Sequence, residues 1–233
     1  MGNLYIVSTP IGNLQDISLR AIETLTLVDF ILCEDTRTTS ILLNSISKRF
    51  PDFKRKGKLV SYYEENEKGR IPEVIELLKK DFNFALVSDA GTPTISDPGF
   101  KLVREVIKEG AKVEAIPGAS SVLSALVSSG LPTDKFMFVG FLPKKPGHRQ
   151  TQLKKIKLAL TTVKQTVIFF ESPFRIVKTL EELREVFGDI NIVIARELTK
   201  LHEEIRREKI SQSIDYYKKV NPKGEFVILF NLE

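Results

Sequence analysis

The sequence holds one cysteine, Cys33, and two histidines, His148 and His202. A single cysteine excludes an intrachain disulfide, and these three residues build no Cys/His zinc cage. No metal site is expected, and a reducing cytoplasm is the expected location. Long apolar runs are also missing. None approaches the roughly 18 residues that cross a bilayer, so no membrane association is expected. The N-terminus, Met1-Gly2-Asn3-Leu4-Tyr5-Ile6-Val7-Ser8, has no basic region ahead of its apolar stretch and reads as a first strand, not a signal peptide. No two glycines are separated by a single residue, so the Gly-x-Gly-x-x-Gly dinucleotide fingerprint is absent. Gly-x-x-x-x-Gly-Lys is absent too, which removes a P-loop, and the lack of Gly-x-Ser-x-Gly weakens a hydrolase reading.

What is present is an α/β pattern. A chain of 233 residues with 42% hydrophobic content can form one large core or two modest ones. Short apolar runs recur at Leu4–Val7, Phe30–Cys33, Lys58–Ser61, Phe84–Val87 and Val113–Ile116. Runs of that length suit strands buried on both faces of a parallel sheet. Helical patterns separate them at Ser18–Val28, at Ile71–Lys80 with Pro72 in its first turn, and at Gly99–Glu109 capped by Gly110. After Gly130-Leu131-Pro132 the texture changes. Strands are expected at Phe136–Val139, Thr166–Phe170, Asn191–Ala195, Glu203–Arg207 and Phe226–Phe230. Helices are expected at Gln150–Leu160, Arg175–Phe187 and Ser213–Lys219, and Leu142–Gln150 reads as an exposed loop. The expected architecture is two α/β domains, 1–118 and 119–233. The first has a five-stranded, mainly parallel sheet and the second a mixed sheet.

The net charge of +5 is unevenly spread. Lys48, Arg49, Lys54, Arg55, Lys56 and Lys58 form one cluster; Lys144, Lys145, Arg149, Lys154, Lys155 and Lys157 form another. Such clusters suit phosphates, although either one alone reads more readily as a solvated lysine-rich surface.

Ligand loops in an open α/β sheet lie at the carboxyl ends of its strands. Four expected strand ends are dense in small residues, prolines and acids: Ser8-Thr9-Pro10-Ile11-Gly12-Asn13-Leu14, Glu34-Asp35-Thr36-Arg37, Ser88 to Gly99, and Pro117-Gly118-Ala119-Ser120-Ser121. Any one is ordinary turn chemistry; four on one edge point to a site.

With these residues in view, the chain resembles the S-adenosylmethionine-dependent tetrapyrrole methylase superfamily. Within it, the likeness is to the ribosomal RNA small subunit methyltransferase I family, which methylates the ribose 2′-hydroxyl of a 16S rRNA cytidine. The likeness rests on the stretch from Ser8 to Ile17, Glu34-Asp35-Thr36-Arg37, the 88–99 loop, Gly140-Phe141-Leu142-Pro143, Glu171-Ser172-Pro173-Phe174-Arg175, the stretch from Ala195 to Lys200, and Lys223-Gly224-Glu225. These run in register through nearly the whole chain. Tetrapyrrole-methylating branches carry a Gly-x-Gly-x-Gly-type start where this chain has Thr9-Pro10-Ile11-Gly12. Many members continue into a small C-terminal domain, whereas this chain stops just after Phe226–Phe230.

The resemblance implies a tetrapyrrole methylase-like fold with S-adenosylmethionine in the cleft between the domains, and 16S rRNA in the 30S subunit as partner. It also implies a homodimer. It nominates Pro10, Asp89, Ala90, Gly91, Thr92, Ile95, Ser120, Ser121, Phe170, Glu171, Leu198 and Gly224 as cofactor neighbours. Ile95, Phe170 and Leu198 serve equally well as core residues. A ribose hydroxyl benefits from a general base. The candidates are Glu34, Asp35, Glu171 and Glu197, with Arg37, Arg175, Arg196 and Lys200 as their partners or as phosphate ligands, and the base stays unassigned. Two other readings stay open: a methylase of a small tetrapyrrole-like molecule, and a non-catalytic cofactor-binding module for ribosome assembly.

Overall fold

A computed structural model describes residues 1–232. The chain divides into two compact units, Met1–Ser120 and Ser121 onward. Among the described residues no helix is long and apolar enough to cross a membrane.

The first unit is built on β1 (Leu4–Val7), β2 (Phe30–Cys33), β3 (Lys58–Ser61), β4 (Phe84–Val87) and β5 (Val113–Ile116). All pair in parallel, in the order β3-β2-β4-β1-β5. Side chains alternate between faces along each strand. Val7, Ile31, Cys33, Ala85 and Val87 pack on α1 (Leu19–Leu27) and α2 (Thr36–Arg49). Leu4, Leu32, Phe84 and Leu86 pack on α3 (Glu67–Lys79) and α4 (Phe100–Lys108). The helices divide this way because right-handed crossovers running in opposite directions along a sheet place their helices on opposite faces.

Two features of this unit differ from the sequence expectation. Helix α2 starts at Thr36, so Thr36 and Arg37 are its first turn and not loop. Its Thr/Ser-rich start has poor helix propensity. The helix forms because Asp35 accepts a hydrogen bond from Arg37 N (2.8 Å) and because Leu42, Leu43 and Ile46 are buried. Such a cap contributes about 1 kcal/mol. Helix α3 starts at Glu67, which leaves Pro72 inside it and not in its first turn. Glu67 is buried, accepting from Tyr62 Oη (2.9 Å), Gly99 N (3.1 Å) and Lys101 Nζ (2.7 Å), and this anchors the extra turn.

The second unit contains α5 (Ser121–Ser129), β6 (Phe136–Phe141), α6 (Pro146–Thr162), β7 (Thr166–Glu171), α7 (Ile176–Phe187), β8 (Asn191–Arg196), β9 (Glu204–Lys209), α8 (Ile210–Lys219) and β10 (Phe226–Phe230). Its sheet runs β6-β7-β10-β8-β9. Only β6 and β7 pair in parallel, so the sheet is mixed. The charged run around residues 203–207 is an edge strand, as such charge suits. On it Arg206 bonds Glu208 (2.8 Å) and lies 3.7 Å over the Tyr216 ring.

Helix α6 begins at Pro146, so the end of the expected 142–150 loop is helical. Arg149 is not a surface cation. It is buried and bonds Glu182 through two nitrogens (2.6 and 2.7 Å). Its remaining donor reaches the carbonyls of Pro143 (3.2 Å) and Lys144 (3.4 Å), fixing the loop from inside.

Candidate active site

The chain leaves β1 toward β2 and leaves β4 toward β5, on opposite sides of the adjacent pair β4-β1. Ligands of open α/β sheets bind outside the carboxyl ends at such a reversal. Here the two loops that follow are tied together. Thr9 N donates to Gly91 O (2.8 Å) and Gly91 N to Thr9 O (3.2 Å), forming an antiparallel bridge. The Thr92 hydroxyl donates its one proton to the Ala119 carbonyl (3.2 Å), so the Ser8 hydroxyl is the donor in the 3.0 Å Ser8–Thr92 contact. Three loops, after β1, β4 and β5, are thereby locked by side chains of two residues. Ser8 and Thr9 open the first loop in the sequence but are not among its candidate site residues. A small hydroxyl residue directly after an apolar strand was the available signal.

Glycine is required at two points. Gly91 has φ +84°, and a Cβ on Gly118 would fall 2.9 Å from Ser8 Cβ. Thr94 (φ 73°) and Ser96 (φ 66°) hold left-handed conformations without being glycine and flank the exposed Ile95. Backbone strain of this kind, held in place by surrounding bonds, is common at ligand sites. Pro10, within the first loop, is buried, while Asp89 and Ala90 are exposed.

Valine at position 91 tests this geometry. A β-branched residue at positive φ costs about 1–3 kcal/mol, enough to distort the Thr9–Gly91 bridge. Gly91→Val is expected to weaken S-adenosylmethionine binding about 10- to 100-fold, read by calorimetry on protein with an unaltered circular dichroism spectrum. Wild-type affinity in that variant would contradict the placement.

Beside this turn stand Glu34, Asp35 and Asp89. Asp35 N donates to Asp89 Oδ1 (3.2 Å). Hydrogen bonds from Arg37 hold the Asp35 carboxyl down at about 2. Partial desolvation of its carboxyl and then the charges of Asp89, Asp35 and Glu65 push Glu34 up, and partial desolvation pushes Asp89 up. Glu34 is exposed, and among the described residues no cation pairs with it.

The remaining nominated residues gather in the second unit, at the ends of β7 and β8 and the start of β10. Phe170 packs against the rings of Phe138 (4.9 Å) and Phe141 (5.4 Å). The buried Glu171 carboxylate accepts from Ser172 N, Thr179 Oγ1 and Arg175 Nη2, all at 2.6 Å. That is a structural ion pair with its oxygens occupied. Leu198 is buried. Glu197, at φ 51°, accepts from Lys200 Nζ (2.9 Å) and Glu225 N (3.0 Å). Burial raises its carboxyl, but these two donors and the nearby Arg196 together hold it below its ordinary range. Gly224 (φ +90°) lies so close that a Cβ would fall 2.5 Å from the Glu197 side chain. Arg196 bonds Lys223 O (2.7 Å) and Glu204 (3.3 Å). Ser121 opens α5.

Residues 3–213 match the family of Tetrapyrrole (Corrin/Porphyrin) Methylases. The chain is 46% identical to Ribosomal RNA small subunit methyltransferase I of Thermotoga maritima, over 99% of both chains. It is 47% identical to the protein of the same name from Hydrogenobaculum sp., over 99% of this chain and 96% of that one. A crystal structure of uroporphyrin-III C-methyltransferase from Thermus thermophilus, complexed with S-adenosyl homocysteine, shares the fold. Its TM-score is 0.64 at 17% identity, covering 98% of this chain and 97% of that one.

Proposed function

The chain belongs to the tetrapyrrole methylase family and, within it, to the ribosomal RNA small subunit methyltransferase I family, and from that premise we propose that its target is the ribose 2′-hydroxyl of a cytidine in the 16S rRNA of the 30S subunit. It is an S-adenosylmethionine-dependent methyltransferase of small-subunit ribosomal RNA. The observation that carries the finer reading is that the stretches resembling that family converge, in the first unit, on one edge of one sheet, next to an acidic cluster. The cytoplasm and a homodimer complete the proposal.

When bound, the cofactor supplies a methyl group already activated on a sulfonium, so the protein's task is alignment. Pro10, Ala90, Gly91, Thr92 and Ser120 offer small side chains and close backbone, and Ile95 an apolar surface. Asp89 and Asp35 place negative charge where a ligand with cationic groups is favoured. On the second unit, Ser121, Phe170, Leu198 and Gly224 stay proposed as cofactor neighbours. Glu171 and Glu197 hold loops in place through their bonded carboxylates.

Of the candidate bases, Glu34 is the one left. Asp35 is held too acidic by Arg37, the oxygens of Glu171 are occupied, and Lys200 and Glu225 N hold Glu197 below its ordinary range. Glu34 would accept the proton of the ribose hydroxyl as that oxygen acts as the nucleophile toward the methyl group a bound cofactor would supply. A raised carboxyl is the stronger base for that step.

Incubation with labelled cofactor tests the assignment. Purified 30S subunits should acquire label on a single ribose, while naked rRNA and a porphyrin precursor acquire little. Label in the porphyrin precursor, or on a base in place of a ribose, would overturn the reading.

A further inference from the structure

The corner where β6 and β7 end combines features that the reaction does not use. Phe174 is 96% exposed there. Its loop is held firmly. Phe174 N donates to Ser172 Oγ (3.3 Å), and Arg175 bonds both Glu171 (2.6 Å) and the Leu142 carbonyl (3.2 Å). That last bond joins the loop after β7 to the loop after β6. The second loop is fixed in turn by the buried Arg149 through the carbonyls of Pro143 and Lys144.

Charge at this corner has one sign. Segments 141–148 and 172–178 contain Lys144, Lys145, Arg175 and Lys178 and no acid, and with Arg175 paired to Glu171 the three lysines supply the net charge. The neighbouring buried acids, Glu171 and Glu182, are neutralised by Arg175 and Arg149. Helices α6 and α7 both begin here. Neither has an acid in its first turn or a side-chain cap on its N-terminus. Their positive dipole ends add to the field of the lysines.

We propose that this corner is a docking surface for an unpaired stretch of the ribosomal RNA substrate, with Phe174 stacking on a base and Lys144, Lys145 and Lys178 on adjoining phosphates. The proposal rests on the reading of the chain as an rRNA methyltransferase. Single-stranded RNA is held in this manner, by an aromatic face for a base and cations for the backbone. A loop whose backbone is already held loses less freedom on binding than a mobile one.

The test measures fluorescence anisotropy of a labelled single-stranded oligoribonucleotide on the full-length protein, alongside methyl transfer to 30S subunits. Phe174→Ala is expected to weaken RNA binding about 5- to 100-fold. Phe174→Leu, which keeps apolar area but no π-face, should behave like alanine, and Phe174→Trp should restore affinity. The double variant Lys144→Ala/Lys145→Ala should lower the slope of log affinity against log salt by about 1.4, two single-strand phosphate contacts. Calorimetric affinity for S-adenosylmethionine should be unchanged in all of them. Wild-type RNA affinity in Phe174→Ala, alongside active methyl transfer by the unmodified protein, overturns the stacking role alone. So does a Phe174→Ala variant whose dimerisation, read by sedimentation, is lost while RNA affinity is kept. Absence of RNA binding and of methyl transfer in the unmodified protein overturns the functional reading itself.

Discussion

Glu34→Gln is expected to slow methyl transfer to 30S subunits by about 10²- to 10⁴-fold, the usual contribution of a general base, with S-adenosylmethionine affinity nearly unaltered. The side chain keeps its size and loses only its capacity to take a proton. The direction of its titration separates this loss from unfolding. Partial desolvation and the charges of Asp89, Asp35 and Glu65 raise the Glu34 carboxyl in the folded protein, so folding opposes its ionisation. Above that raised range the native state carries an unfavourable charge, and glutamine removes it. At neutral pH the variant should therefore melt no lower than the parent, and the difference should vanish as pH falls through the carboxylate range. The pH–rate profile supplies a second readout. In the parent, activity declines on acidification as Glu34 takes up its proton, and in the variant that limb should be missing. A variant with parental rate and profile would return the base to the remaining acids.

Glu182→Ala should cost about 3–5 kcal/mol of stability, because it strands the buried Arg149 guanidinium without a counter-charge. For a chain of this size each kcal/mol shifts the melting temperature by roughly 2–4 °C, so calorimetry should show the second unit melting about 6–20 °C lower. Replacing both partners by apolar residues, Arg149→Met with Glu182→Leu, should recover most of the loss, since no buried charge remains. A melting temperature within a degree of the parent for Glu182→Ala would mean that Arg149 reaches water. The double variant also releases the carbonyls of Pro143 and Lys144 from their buried donor. It should loosen the Lys144–Lys145 loop even where global stability returns.

These two sites differ in how far they are legible. Glu34 follows a four-residue apolar strand and precedes Asp35-Thr36-Arg37, so local spacing alone marks it as a strand-end acid. Its raised carboxyl is not local. It depends first on desolvation by the surrounding fold and then on Asp89, brought alongside through the pairing of β2 with β4. Arg149 reads from sequence as one cation among several, because its counter-charge lies 33 residues away on another helix. Helix α2 was obscured for a different reason. Its threonines and serines compete for backbone bonds, and only the Asp35 cap and the burial of Leu42, Leu43 and Ile46 decide in favour of a helix.

The sequence by itself determined the strands of the first sheet, the parallel α/β character of that unit, the loops that carry small residues and acids, and the family resemblance. All of these are written in short-range periodicity and residue type. Tertiary structure alone decided the order β3-β2-β4-β1-β5, the bond from Ser8 to Thr92 across 84 positions, and which acids are occupied and which are open. The reason is physical. Local spacing encodes which face a side chain takes, whereas ionisation and hydrogen-bond saturation depend on partners that only the folded chain brings within reach.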